Sequence, residues 1–233
     1  MKRTRLAGLA TVGLLLSGCS SLGIHPGSAA VVGDETVSMS KIDDTTTLYC
    51  KAYVTQSQSS QQTQSGPLPM GTFRSFVAAS LAKRALGDQL AQAYGVEPAS
   101  GYQQQVTQLQ QALASTPADQ RDAVIEVAAS DAYLQNVQVA IGQDLTGVVG
   151  QSDSEIKAAL QRGQVATQDW LSHHKVYLDP VFGRSVGGGS FSTSSNQTSY
   201  PLSPLAKLGA QINDQQAPPS SYTSQLPASQ VCG

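Results

Sequence analysis

The chain has 233 residues, 14 of them basic and 16 acidic, for a formal net charge of −2. Beyond Lys2, Arg3 and Arg5, lysine and arginine form no run longer than Lys83-Arg84, which argues against nucleic-acid binding, because that class needs a basic face. The length is that of one domain. Aromatic residues (6%) and charged residues (13%) are scarce while Gln, Ser, Thr and Ala are abundant, so the globular part is smaller than the chain.

The first element in chain order is an address. Lys2, Arg3 and Arg5 lead into an apolar run from Leu6 to Leu16 that stops at Ser17-Gly18-Cys19, the layout of a secretory signal with a processing site. Two alternatives compete with a lipid anchor. One is a transmembrane helix, for which the run is about half of the roughly 20 residues needed; the other is a plain secretory signal in which Cys19 is incidental. Leu16-Ser17-Gly18-Cys19 resembles the lipobox of bacterial lipoproteins. That resemblance implies a signal peptide over residues 1–18, diacylglycerol on the Cys19 sulfur, and a mature protein anchored at the cell membrane on its extracytoplasmic face. The leader holds three of the 14 basic residues and none of the acidic ones, so the mature domain is the more acidic part.

If Cys19 carries lipid, Cys50 and Cys232 remain as an even pair in a compartment where disulfides persist. Either they form a bridge, worth up to about 4 to 5 kcal/mol in chain-entropy models, or they are unrelated thiols with Cys232 on a frayed terminus. The bridge is preferred, since a penultimate cysteine on a disordered tail otherwise has no structural purpose. Residues 19–28, with Gly23, Pro26 and Gly27 and no periodic pattern, read as a tether that reaches roughly 30 Å when extended.

Ala29 to Val37 holds two short β-prone runs around Gly33-Asp34, a hairpin signal. Ser40-Lys41-Ile42-Asp43 follows, a helix N-cap pattern in which Asp43 and Asp44 suit the positive end of the dipole. The spacing of Ile42, Thr46, Tyr49 and Tyr53 predicts a helix over 41–55, against the strand preference of Thr45, Thr46, Thr47 and Val54. The stretch from Val31 to Asp43 resembles the opening of the SurA-type N-terminal domain, in which a Val-Asn-Gly-like strand and turn run into a helix. Members of that family are periplasmic and envelope chaperones with a helical peptide-binding domain, often joined to a parvulin prolyl isomerase domain.

Gln56 to Gly66 is a polar spacer. A helix is predicted over 72–94, with Phe73, Val77 and Leu81 on one stripe, Phe76, Leu90 and Tyr94 on another, and Gly95 as its stop. Two stripes place it at the centre of a helical domain. A surface helix follows over 98–114 on Tyr102, Val106, Leu109 and Leu113. Thr116-Pro117 opens a single helix of about 28 residues, whose end Gly142 and Gly147 fray. Ser152-x-x-Glu155 is a capping box. It begins a short helix through Arg162, with a final one over 165–172.

Lys175 to Asp179 turns strand-like and ends at Pro180. Val176-Tyr177-Leu178-Asp179-Pro180-Val181-Phe182-Gly183-Arg184 resembles the strand and Asn-Pro-x-Phe-Gly-like turn that closes the helical domain in SurA-like lipoproteins of high-GC Gram-positive bacteria, with Asp179 in place of Asn. The two resemblances bracket residues 29–184. They imply a mainly α, multi-helix fold with a small β element that pairs the opening hairpin with the closing strand. Residues 185–233 read as a low-complexity Ser/Gln/Pro tail, with Leu202, Leu205 and Leu208 forming one or two helical turns. The tail is too short and polar for a parvulin domain, so no enzyme activity and no cofactor are expected.

The remaining motifs carry little chemistry. His173-His174 are adjacent rather than three or four apart, so they fit a polar helix end better than a metal site. No Gly-x-Ser-x-Gly elbow or phosphate loop is present. Phe73, Phe76, Tyr94, Tyr102, Tyr133 and Trp170 either line an apolar peptide-binding groove or belong to the core. The resemblance favours a chaperone-like protein for unfolded or exported polypeptides; the alternative is an envelope interaction lipoprotein with one specific folded partner.

Overall fold

The computed structural model describes residues 25–59, 67–150, 152–187, 190–193, 200–212 and 218–233. Residues 1–24, and Cys19 with them, lie outside it, as do 60–66 of the polar spacer. No helix among the described residues is long and apolar enough to cross a membrane.

The hairpin forms where the Gly-Asp signal puts it. Strand β1 (Ser28–Val32) and strand β2 (Glu35–Ser38) pair antiparallel across Gly33-Asp34. Gly33 sits at φ +59°, in the left-handed region where the absence of a Cβ removes the penalty. The closing strand β4 (Val176–Leu178), which in chain order follows the short strand β3 (Leu68–Pro69), pairs antiparallel with the other side of β1. The sheet order is therefore β2-β1-β4, with both hairpin and closing strand in one sheet.

Helix α1 (Met39–Ser59) is longer than its sequence pattern predicts at both ends. Its cap is Ser38, whose Oγ accepts from the Lys41 N–H at 3.1 Å, and not Ser40. Asp43 consequently lies beyond the first turn and pairs with Arg74 at 2.7 Å instead of serving the dipole. Thr47 and Thr55 satisfy their hydroxyls inside the helix by donating to the carbonyls four residues back, at 2.9 and 3.0 Å. Burial of Ile42, Thr45 and Thr46 then outweighs strand propensity.

After strand β3 (Leu68–Pro69) comes α2 (Met70–Tyr94), which ends at Gly95 in the left-handed conformation, as predicted. Every residue from Val77 to Ala82 is buried, together with Phe73, Ala85, Leu86 and Leu90, so the helix is covered all round and forms the centre of the molecule. Helix α3 (Gly101–Ala112) starts three residues later than Pro98 suggests and buries none of its residues, as a surface helix should.

The single 28-residue helix does not form. It is two helices, α4 (Ala118–Ala128) and α5 (Ser130–Asp144), that break at Ala129. Ser130 Oγ donates to the Val127 carbonyl at 2.8 Å, and α4 packs on α1 while α5 packs on α2 and α6. Gly142 is not a frayed end either, since it is buried within α5.

The Ser152 capping box forms in both directions: Ser152 Oγ accepts from the Glu155 N–H at 3.3 Å, and Glu155 Oε2 accepts from the Ser152 N–H at 3.0 Å. It opens one continuous helix, α6 (Asp153–His173), where two were predicted. Gly163, which falls at the predicted break, is buried inside the helix against α5.

Beyond β4, Asp179 caps the 3-10 turn Pro180–Phe182 by accepting from the Val181 N–H at 2.9 Å. Ser75 Oγ on α2 donates to the Phe182 carbonyl at 2.7 Å and accepts from Arg184 Nε at 2.9 Å, which fastens the turn to the central helix. The described residues of the Ser/Gln/Pro segment are ordered into further elements. Strands β5 (Arg184–Gly187) and β6 (Ser190–Thr193) form a hairpin that buries Phe191 in the main core. Helix α7 (Pro204–Ala210) is capped by Ser203, the one or two turns predicted around Leu205. After the single turn α8 (Ser220–Thr223), strand β7 (Val231–Cys232) returns to pair with β3. There Cys232 stands at disulfide distance from Cys50, with Cα atoms 5.8 Å apart.

Candidate functional site

An open cleft of 570 Å³ lies between β2, α2, α3 and α4. Its lining includes Glu35 to Ser38, Lys41, Leu81, Arg84, Asp88, Tyr102, Asp122 and Glu126. A second hollow, of 560 Å³, shares Arg84 and Tyr102 with it and continues toward Val96 and Tyr133. The two together run along the surface helix α3.

The floor where they meet is a cluster of four side chains. Arg84 and Asp88 sit one turn apart on α2, Tyr102 comes from α3 and Tyr133 from α5. The Arg84 guanidinium lies 3.6 Å from the Tyr133 ring centroid, a cation–π contact. Its Nη1 donates to Tyr102 Oη at 2.8 Å and its Nε donates to Asp88 Oδ2 at 3.3 Å. Tyr133 Oη donates to Asp88 Oδ1 at 2.5 Å, and the two tyrosine rings meet edge to face at 5.0 Å.

Burial, then the bond to Asp88 and its charge, hold the Tyr133 phenol well above the usual tyrosine range. The phenol keeps its proton and donates it to the Asp88 carboxylate. The cluster fixes α3 to α2 and shapes the cleft. Tyr133→Phe is expected to cost about 1–3 kcal/mol, because it leaves the half-buried Asp88 carboxylate without its shortest donor. Urea denaturation measures this, and an unchanged midpoint would show that water takes over the bond.

Above the floor the cleft walls are acidic. Burial, with Asp88 adding to it and Arg84 opposing it, raises the Glu35 carboxyl above its ordinary value. Lys41 and Glu126 form a 2.8 Å ion pair at the rim. Both are substantially exposed, so the pair contributes little to stability.

The six aromatic candidates do not line one groove; the structure distributes them over three places. Tyr102 and Tyr133 belong to the cleft. Phe73 and Phe76 gather with Tyr49 and Tyr53 around a separate apolar hollow of 260 Å³ that Leu68, Thr72 and Arg184 complete. Their ring centroids are 5.4 to 5.9 Å apart, and Phe76 is 41% exposed. Trp170 and Tyr94 are elsewhere: Trp170 is buried and stacked on His174 at 3.9 Å, while Tyr94 Oη donates to the Ala166 carbonyl at 3.3 Å. A helical repeat gives each residue's face, but the separation arises from how α1, α2, α5 and α6 cross.

His173 and His174 end α6, each with Nδ1 2.8 Å from the carbonyl four residues back. Among the described residues no group of three His, Cys, Asp or Glu side chains is placed to hold a metal ion. The residues that sequence reasoning missed are Arg84 and Asp88. Their signal was an oppositely charged i, i+4 pair on a helix whose other faces are apolar.

No protein-family model matches the chain, and no curated protein or solved structure matches it.

Proposed function

We propose that the protein is a lipid-anchored, extracytoplasmic, chaperone-like protein that binds unfolded or exported polypeptides without catalysing a reaction on them. The observation that carries this reading is the pair of adjoining hollows that share Arg84 and Tyr102, whose open form and mixed lining suit a polypeptide segment better than a compact small molecule. The lipobox-like Leu16-Ser17-Gly18-Cys19 supports the anchor, and the SurA-type pattern of hairpin, helices and closing strand supports the class. From Cys19 to the first described residue the chain spans about 20 Å when extended, so a cleft held there works beside the membrane.

A second reading, an envelope protein with one folded partner, is favoured by the apolar hollow around the half-exposed Phe76, since an apolar patch with a charged rim at Arg184 is typical of protein interfaces. One experiment separates the two. Stoichiometric amounts of the purified protein are expected to suppress aggregation of several unrelated unfolded proteins. Failure with all of them sinks the chaperone reading, and recovery of a single folded partner at fixed stoichiometry favours the second.

A further inference from the structure

The cleft has a wall that its side chains do not describe: the open edge of the sheet. With the order β2-β1-β4, β2 is an edge strand, and its residues Glu35 to Ser38 all line the cleft. The direction of its main-chain groups follows from the pairing of β1. Ala29 accepts from the Asp179 N–H at 2.8 Å and Gly33 donates to the Lys175 carbonyl at 3.1 Å, so the odd-numbered residues of β1 face β4. The even-numbered residues Ala30 and Val32 therefore bond to their β2 partners, Val37 and Glu35. Thr36, opposite Val31, is left with its N–H and C=O directed away from the sheet, and it is exposed.

Such an edge is a template for an added strand. What would add is indicated by charge. Glu35, Asp88, Asp122 and Glu126 line the cleft against only Lys41 and Arg84. Lys41 is already paired with Glu126, and Arg84 with Asp88. Among the described residues, Glu35 and Asp122 join no salt bridge, so the space beside β2 is left with uncompensated negative charge.

We propose that β2 is a docking strand, on which an extended polypeptide segment carrying lysine or arginine pairs through the Thr36 main chain, with its cationic side chains among the carboxylates of the cleft. This deepens the chaperone reading and rests on it: main-chain pairing supplies affinity without regard to sequence, and the carboxylates select cationic segments. The area gained is small, so binding is weak and reversible, as release of a client requires.

The test uses fluorescence anisotropy with two labelled probes, a heptapeptide of alternating lysine and threonine and its counterpart with glutamate for lysine. The lysine peptide is expected to bind more tightly than the glutamate one by about tenfold or more at low salt, with the gap narrowing as salt rises. Thr36→Pro removes the outward N–H while leaving every β1–β2 hydrogen bond in place, a position where an edge strand tolerates proline. It is expected to weaken lysine-peptide binding by about tenfold with the melting midpoint kept. Should that variant fold poorly, lysine peptides N-methylated at alternate residues make the same test on the unaltered protein, and one of the two methylation registers is expected to lose binding.

Equal binding by folded Thr36→Pro, or by both methylated peptides, overturns strand docking. Equal binding of the two charge forms overturns the selection of cationic segments. If neither peptide binds while the protein still suppresses aggregation, this inference fails and the chaperone reading stands. If both assays are negative, both readings fail.

Discussion

Gly163→Ala is expected to destabilise the protein by about 2–3 kcal/mol, although alanine is the better helix former by about 1 kcal/mol. The reason lies in how α5 and α6 meet. A Cβ on Gly163 would run into the main chain of Gln138, 2.5 Å from its carbonyl carbon and 2.8 Å from its Cα. A Cβ on Gly142 would do the same to Ala159, at 2.6 Å from the carbonyl carbon and 2.9 Å from Cα. The two glycines are thus reciprocal, each on one helix and each admitting the other's backbone, and no rotamer change relieves a collision with backbone. Thr167 Oγ adds a bond across the same crossing, accepting from Gln138 Nε2 at 3.2 Å and donating to the Gly163 carbonyl at 2.8 Å, so a shift of α6 also strains a buried polar pair.

The double variant Gly142→Ala, Gly163→Ala should lose a large share of the roughly 5–15 kcal/mol that holds a domain of ordinary stability. Gly71→Ala is the internal control: it lies in the first turn of α2 with nothing within 4 Å of its Cβ position, and it should gain up to about 1 kcal/mol. Urea denaturation of the three variants decides the matter. A Gly163→Ala protein as stable as Gly71→Ala would mean that the two helices are not in backbone contact.

These glycines also show where sequence reading stopped. Read alone, Gly163 and Gly142 are helix breakers, and the difference between a glycine that ends a helix and one that admits a neighbour lies in the neighbour. The break at Ala129 was invisible for the same reason: no proline or glycine marks it, and it is set by α4 packing on α1 while α5 packs on α2. What was legible was local. Gly33-Asp34 specified the hairpin, Ser152 and Glu155 the start of α6, and Gly95 the end of α2, whereas the pairing of the strand after Lys175 with the opening hairpin came only from the family resemblance. Ser38 and Ser40 show the limit of such signals: Asp43, three residues on, pointed to Ser40 as the cap, and the helix took Ser38 instead.

The site was less legible than the fold. Tyr102 and Tyr133 were singled out as aromatic, yet their meaning depends on Arg84 and Asp88, and Tyr133 is 45 residues from the carboxylate it bonds. Phe73 and Phe76 were placed on separate stripes, whereas Tyr49 and Tyr53 of α1 bring them to one hollow. The free edge of β2 has no signature in residue types at all, because it is a property of the strand order.

The second large effect concerns Cys50 and Cys232. Replacing both with serine, or reducing the pair, is expected to cost about 2–5 kcal/mol, because the two residues are 182 positions apart and a bridge that closes so long a loop removes much of the freedom of the unfolded chain. In the folded protein the pair acts at one place. Cys232 is fully buried, its strand β7 pairs with β3, and β3 leads directly into the central helix α2, so the end of the chain is held to α1 and to the start of α2. Strand β7 has two residues and β3 has two, too few for independent stability, and the bridge is what keeps them together. Reduction should therefore release residues 218–233 before the helical core unfolds. Limited proteolysis is expected to remove that segment from the reduced protein and spare it in the oxidised one, with a mass difference of two hydrogens separating the intact forms. Identical urea midpoints and identical cleavage patterns with and without reductant would show that the C-terminal strand is held by its packing alone.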